Sequence, residues 1–353
     1  MKIRLLTLLF SVLMLSSCGN SGYTLPTVSG SKYEVLVVIN DSVWKAPVGR
    51  SVIALLDRDM EGLPQGEAVM KISQCNKLEF TDALKPARNL LLTDISTKYK
   101  HPKVIYTTNK WAKPQSVVQI QAPNDSVFAG IIATYGDNIL NYFLRTERER
   151  QIEFNKGNVN KKAKDEIEKL FGIQMDIQLE INKVIKKRKD FYWVTNNNPN
   201  ARQDIVIYSY PYTDKKTFTQ EFVLAKRDSV MKANIPGEFE GSYMGTEYQY
   251  YPPVFNEIWV NNGYCAEVRG LWKIKNGGAM GGPFYSHTRL DEINQRVITI
   301  EGFVFAPGSK KRNPMRQLEA IIYSAKLPQE INAVKEIPVT GKKINVSKVK
   351  KSI

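Results

Sequence analysis

The chain is 353 residues long, 42% hydrophobic and 24% charged, a globular composition with room for two ordinary domains. Its formal charge of +15 favours anionic partners, yet no zinc-finger spacing or RNP-type aromatic motif supports nucleic acid. Two histidines, His101 and His287, with no His-Glu-x-x-His helix exclude a zinc hydrolase of that kind, and neither metal nor cofactor is expected.

The N-terminus carries Lys2 and Arg4, then an apolar run from Leu5 to Leu15, then Ser16-Ser17-Cys18. A charged start, a short greasy core and small residues before a cut site make a secretory signal peptide over residues 1–17, too short to span a bilayer. Leu15-Ser16-Ser17-Cys18 resembles the bacterial lipobox. The resemblance implies that Cys18 takes a diacylglyceryl thioether and that its new amino group is acylated, palmitate being the kind of chain involved. Several acyl chains exceed what stable anchoring needs. Residues 18–31 read as a flexible tether without acidic residues. Surface-exported lipoproteins of the Bacteroidota resemble one another in carrying acids just after the Cys. The expectation is therefore the periplasmic face of the outer membrane.

A first α+β unit is expected over residues 32–172. Val35 to Ile39 is a continuous apolar run and reads as a strand buried on both faces. Pro47 starts a helix to about Met60 with Val52, Ile53, Leu55 and Leu56 on its apolar face. Strands follow at 69–73, 90–95, 103–108 and 116–121, the last with clear alternation. Pro123-Asn124-Asp125-Ser126 opens a long helix that becomes charge-alternating at Arg145 to Arg150, and 161–171 is a further helix closed by Gly172.

A second, β-rich α+β unit is expected over 173–327. Strands are read at 175–181, 190–194, 204–210, 243–250, 254–260, 264–275 and 296–305, with Lys183 to Lys189 as a basic loop. Helices are read from Thr217 or Thr219 to about Ala233 and over 315–325. The order implies an antiparallel sheet with helices packed on it, and the whole is expected to be two units of mostly antiparallel sheet with packed helices. The second resembles the PsbP/Mog1-like sandwich. Residues 328–353, with five lysines and no acid from Gly341 onward, read as a basic tail.

Arg269-Gly270-Leu271-Trp272, Met280-Gly281-Gly282-Pro283-Phe284, Phe303-Val304-Phe305-Ala306-Pro307-Gly308 and Lys311-Arg312-Asn313-Pro314-Met315-Arg316-Gln317-Leu318-Glu319 stand behind the lipobox. Together they resemble an uncharacterised lipoprotein family of the Bacteroidota, catalogued as a domain of unknown function. The resemblance covers about residues 32–325 and implies an address without a reaction.

Few residues offer chemistry. Asp57-x-Asp59-x-Glu61-Gly62 begins like a calcium loop but has Ala68 where a bidentate Glu is needed. Cys265 with His287 is a conceivable thiol pair, but a thiol in an apolar strand is usually inert. Cys75 and Cys265 read as separate buried thiols, with a disulfide as the alternative. Glu247, Glu257, Glu267 and Glu301 lie in or beside strands and could serve as the paired acids of a glycoside hydrolase. The loop Asn276 to Pro283 reads as a hairpin connection or as a binding lip. In the second reading Trp272, Met280, Phe284, Tyr285 and His287 offer stacking surface beside Lys273, Lys275 and Arg289. The expected function is a lipid-anchored, non-enzymatic binding or scaffold protein. Its partners would be the membrane, through the lipid, and an envelope protein or an anionic glycan or lipid. The alternative is an envelope hydrolase acting on glycan or ester substrates.

Overall fold

The computed structural model describes residues 24–336. Residues 1–17, Cys18 and the stretch 337–353 of the expected basic tail lie outside the described residues. The chain is α+β and forms two compact units, one of residues up to 58 with 70–146, the other of 59–69 with 147 onward. The division falls inside a helix, α3 (Asp125–Lys156), rather than after residue 172. The reason is local: beyond Thr146 the helix finds partners in the second unit. Arg148 lies 3.6 Å over the Tyr323 ring, and Asn155 Oδ1 accepts from Gln178 at 2.8 Å. Among the described residues no helix is long and apolar enough to cross a membrane.

The first unit holds a five-stranded sheet, β1 (Glu34–Val38), β2 (Lys71–Cys75), β3 (Asn89–Ile95), β4 (Lys103–Thr108) and β5 (Ser116–Ala122), in the order β2-β1-β3-β5-β4. The expectation of a mostly antiparallel sheet is corrected here. The β1–β2, β1–β3 and β3–β5 ladders are parallel, and β4 alone runs antiparallel, to β5. Parallel strands are covered on both faces, which is why Val35 to Ile39 is buried without alternation. Two helices follow β1, α1 (Asp41–Lys45) and α2 (Pro47–Leu56); Pro47 sits at the first helical position, where its missing N–H costs nothing. Gly136 of α3 lets α2 approach: a Cβ there would lie 3.0 Å from the Leu55 side chain. Part of the expected tether is not free. Thr27 and Ser29 form parallel bridges with Lys113 and Ala87, and Lys113 N–H donates to Pro26 O at 2.8 Å.

The second unit begins its own structure with α4 (Lys161–Phe171), capped by the Asn160 side chain and closed by Gly172 in the left-handed region. Its sheet holds β6 (Lys183–Arg188), β7 (Phe191–Thr195), β8 (Arg202–Pro211), β9 (Tyr243–Glu247), β10 (Val254–Val260), β11 (Gly263–Lys275), β12 (Gly281–Asp291) and β13 (Arg296–Phe305). The order is β10-β11-β12-β13-β8-β7-β6, with β9 also paired to β11, and every ladder is antiparallel. The expected strand 175–181 is instead an irregular segment, and the expected basic loop 183–189 is the edge strand β6. Its lysines and Arg188 line a sheet edge, where cations oppose pairing with another chain.

Two helices sandwich this sheet. Helix α5 (Gln220–Asn234), capped by Thr219, sends Val223, Leu224 and Met231 into a core with Trp193, Val268 and Phe303. Helix α6 (Arg312–Tyr323) lies on the other face, where Gly302 permits close approach: a Cβ at 302 would meet Leu318 Cβ at 2.9 Å. A last helix, α7 (Pro328–Glu336), occupies the start of what the sequence reads as tail.

Candidate ligand-binding site

The six residues expected to form an exposed lip do not form one. Trp272, Phe284, Tyr285, His287 and Arg289 are buried; Met280 alone, at 37%, is exposed. The reason is strand parity. Trp272 pairs across the ladder with Gly282, so it shares a face with Phe284, while Tyr285, His287 and Arg289 point to the opposite face. Trp272 belongs to the core under α5 and donates its indole N–H to Val304 O at 3.2 Å. Gly282 makes this possible, since a Cβ there would sit 2.1 Å from Val304 O and 3.1 Å from the indole nitrogen. The loop reaches only to Met280, with Asn276, Gly277 and Gly278 at positive φ, and is a hairpin connection.

Two networks of buried polar groups lie under the helices that cover this sheet. Under α5, Arg227 donates two hydrogen bonds to Glu301, at 2.7 and 2.8 Å, and a third to Thr246 Oγ1 at 2.8 Å. Under α6, Arg269 donates to Glu319 at 2.6 Å and to Glu267 at 3.3 Å, and Tyr285 donates to Glu267 at 2.5 Å. His287 Nε2 lies 2.6 Å from the same phenol oxygen, and its Nδ1 has no partner. Glu267 and Glu301 therefore face opposite ways and are both committed to arginines. Glu247 is paired with Lys273. Cys75 and Cys265 are buried free thiols, and burial pushes the Cys265 thiol far up, so it stays protonated.

One concave feature, a shallow polar one of about 560 Å³, is lined by Glu247, Lys273, Lys275 and Asn276; a second, more apolar, lies at the β10 end of the sheet. A cavity of about 450 Å³ opens where β10, β11 and β12 meet the 3₁₀ turn Lys215–Phe218 and the start of α7. Its apolar wall is Tyr212, Phe218, Phe255, Tyr264, Leu290 and Leu327. Three of these rings pack in sequence, Tyr212–Phe218 at 6.1 Å and Phe218–Tyr264 edge-to-face at 5.4 Å. Trp259 continues the series, edge-to-face with Tyr264 at 6.5 Å, and is 74% exposed. The placement follows from β10 itself: Phe255, Glu257 and Trp259 alternate onto one face, and Trp259 pairs directly with Tyr264.

Polar groups sit among these rings. Glu257, Glu292, Lys215, Arg289 and Gln329 also line the cavity. Tyr264 donates to Glu257 Oε1 at 2.9 Å; burial and this carboxylate push the phenol up to about 12, so it remains a donor at neutral pH. Arg289 is ion-paired with Glu330 and donates to Val260 O at 3.0 Å, yet its Nε has no partner. Gln329 donates to Leu290 O at 2.8 Å, and its Oε1 is equally unserved. Both orphan atoms are buried within the protein, while the cavity itself has the size and mixed lining of a small-ligand site.

Residues 28–156 match the family described as a domain of unknown function, DUF8532, and residues 160–324 match another, DUF4837. No curated protein matches the chain. The two matches meet between Lys156 and Asn160, where α3 ends, and the cavity lies in the region of the second, with Leu327 and Gln329 contributed from just beyond it.

Of the residues singled out from the sequence, Arg289 and Glu257 belong to this site. Tyr212, Phe218, Phe255, Tyr264 and Gln329 come from five separate stretches, and no spacing rule joins them. The available signal was the alternation Phe255-Glu257-Trp259, an apolar face interrupted by a carboxylate on an edge strand.

Proposed function

We propose that the protein is a lipid-anchored cell-envelope protein of the Bacteroidota, held at the membrane through Cys18, whose second unit binds a ligand in the cavity beside β10. The anchoring half rests on the sequence, on the charged start, the short apolar core and Ser16-Ser17-Cys18. The periplasmic face of the outer membrane is the address this reading gives. The binding half is carried by one observation, a cavity of about 450 Å³ walled by aromatic rings with a few polar side chains among them. Concave, mostly apolar cavities of this size with a few polar groups are where small ligands bind.

Growth with labelled palmitate tests the anchor. The label should enter the wild-type chain and be absent from Cys18→Ala, which should also leave the membrane fraction. Retained label in that variant would defeat the lipobox reading. For the cavity, a hydrophobic fluorescent dye should gain emission with the wild-type protein and lose it with Tyr264→Ala. A second reading has one observation in its favour: two carboxylates, Glu257 and Glu292, line the same cavity, as an acid pair in a glycoside hydrolase would. Turnover of an aryl glycoside, abolished in both Glu257→Gln and Glu292→Gln, would replace binding by catalysis.

A further inference from the structure

The sheet of the second unit has two edges, and they differ. Strand β6 carries Lys183, Lys186, Lys187 and Arg188 and a register shift between Val184 and Lys186, both of which oppose pairing with another chain. Strand β10 has neither device. It pairs with β11 without a register shift, its one charge is Glu257, and it holds Phe255, Ile258 and the mostly solvent-exposed Trp259. The direction of its open groups follows from the turn. Asn261 and Asn262, both at positive φ, make a two-residue connection, so Val260 and Gly263 exchange the last pair of ladder hydrogen bonds. Alternation then turns the N–H and C=O groups of Phe255, Glu257 and Trp259 away from β11. Among the described residues none of these groups has a hydrogen-bond partner. The same three side chains share one face, and Phe255 and Glu257 line the cavity there with Tyr264.

We propose that the open edge of β10 is a peptide-docking site, where an extended segment of a partner protein adds a strand beside Phe255, Glu257 and Trp259, and that this segment carries a lysine or arginine flanked at alternate positions by apolar side chains. The proposal rests on the reading of the cavity as a binding site and names its occupant. The added main chain satisfies the open N–H and C=O groups, and its alternate side chains fall on the cavity face. Charge selects the residue opposite Glu257. With Arg289 held by Glu330, the carboxylates of Glu257 and Glu292 outnumber the Lys215 ammonium among the lining charges, so a cation is favoured there. Opposite Phe255 and Trp259 an apolar side chain packs against a ring, and the one beside Phe255 lies at the cavity wall. A second copy of this chain fits less well. Two β10 strands meeting antiparallel about Glu257 set carboxylate against carboxylate, and two chains of formal charge +15 repel.

The test uses the mature full chain carrying Cys18→Ala and a short blocked peptide of threonines alternating with valine, lysine and valine, titrated by calorimetry and tryptophan fluorescence. The peptide should bind, perturb tryptophan emission and displace the hydrophobic dye. Exchanging its lysine for glutamate should weaken binding about tenfold, and Glu257→Lys should reverse that preference. Methylating one alternate set of peptide backbone nitrogens should abolish binding and methylating the other set should not, because only one set faces β10. Equal tolerance of both sets would overturn strand addition. Equal binding of the lysine and glutamate peptides would overturn the charge assignment. If the peptide does not bind while the dye still enters, the docking proposal falls and the cavity reading stands; if neither enters, both fall. A dimer in sedimentation velocity that the peptide dissociates would give the edge to a second copy and overturn a separate partner. Thermal melts of Glu257→Lys guard against loss of fold.

Discussion

Arg227, Arg269 and Arg289 of the second unit are each ion-paired with a glutamate, and they are not alike. Arg227 and Arg269 each sit under a helix, bound to glutamates; Arg227 also lies 3.7 Å over the Phe284 ring and Arg269 4.3 Å over Tyr285. In the Arg227 pair Nε, Nη1 and Nη2 are all engaged. Arg289 has a carboxylate too, but it lines a cavity and keeps one nitrogen unserved. In the first two, the buried charge fixes how a helix lies on the sheet. In the third, the same side chain forms part of a cavity wall. Pairing with a carboxylate therefore does not separate the three; what differs is that Arg289 lines a cavity.

The comparison breaks hardest at Glu301. Glu301→Ala strips the partner from a fully buried Arg227 and should cost about 3–5 kcal/mol, because an uncompensated charge stays inside. Urea unfolding would show it as a large drop in midpoint; a change under 1 kcal/mol would mean the pair is not closed. Glu330→Ala, acting on Arg289, should cost less, about 1–3 kcal/mol, since Glu330 is partly solvated and Arg289 retains the Val260 carbonyl. An equal loss at the two sites would erase the distinction.

Acid should act on the α6 network before the α5 network. Burial first, and then Arg289 and Arg269, hold the His287 imidazole below its ordinary 6.5 despite the opposing pull of Glu267. Its folded-state value is depressed, so the unfolded chain binds the proton first. The contribution is whole above about pH 6.5 and is lost as the pH falls from there toward the folded value. Glu267 and Glu319 are also depressed, by Arg269 acting against their burial, but their effect comes below the ordinary carboxylate range. Stability measured at pH 7.5 and 5.5 should fall in the wild type, and His287→Gln should flatten that fall. An unchanged slope in the variant would show that another group titrates.

The fold was legible where local chemistry decided it. Proline at position 47, the asparagine cap at 124, glycine 172 and the alternating strands were all visible as spacing and capping signals, and most of the elements lie close to where those signals put them. Strand direction in the first sheet was misjudged, although Val35 to Ile39 already carried the doubly buried pattern of a parallel strand. The strand β6 was hidden because Lys183 to Lys189 has the composition of a loop; only the neighbouring β7 shows that the cations line an edge. The site was mostly not legible. Trp272 and Phe284 look in sequence like any other aromatic, and whether an aromatic is core or platform depends on which strand lies beside it and what covers that face. Tyr212, Phe218 and Gln329 were beyond reach because the contacts that join them are long-range.

The smallest effect expected is on Trp259, and it completes the contrast. Trp272 and Trp259 are both strand tryptophans, in β11 and β10, yet the first is 2% exposed and the second 74%. Trp272→Ala empties a core position and removes the donor to Val304 O, so a loss of about 3–5 kcal/mol is expected. Trp259→Ala removes one edge contact with Tyr264 and little else, so stability should stay within about 0.5 kcal/mol of wild type. Parallel urea titrations would measure both. A large loss at Trp259 would mean that its ring supports the β10–β11 hairpin. A negligible loss leaves a solvent-exposed indole with no structural duty beside an aromatic cavity, in contrast to the core indole of Trp272.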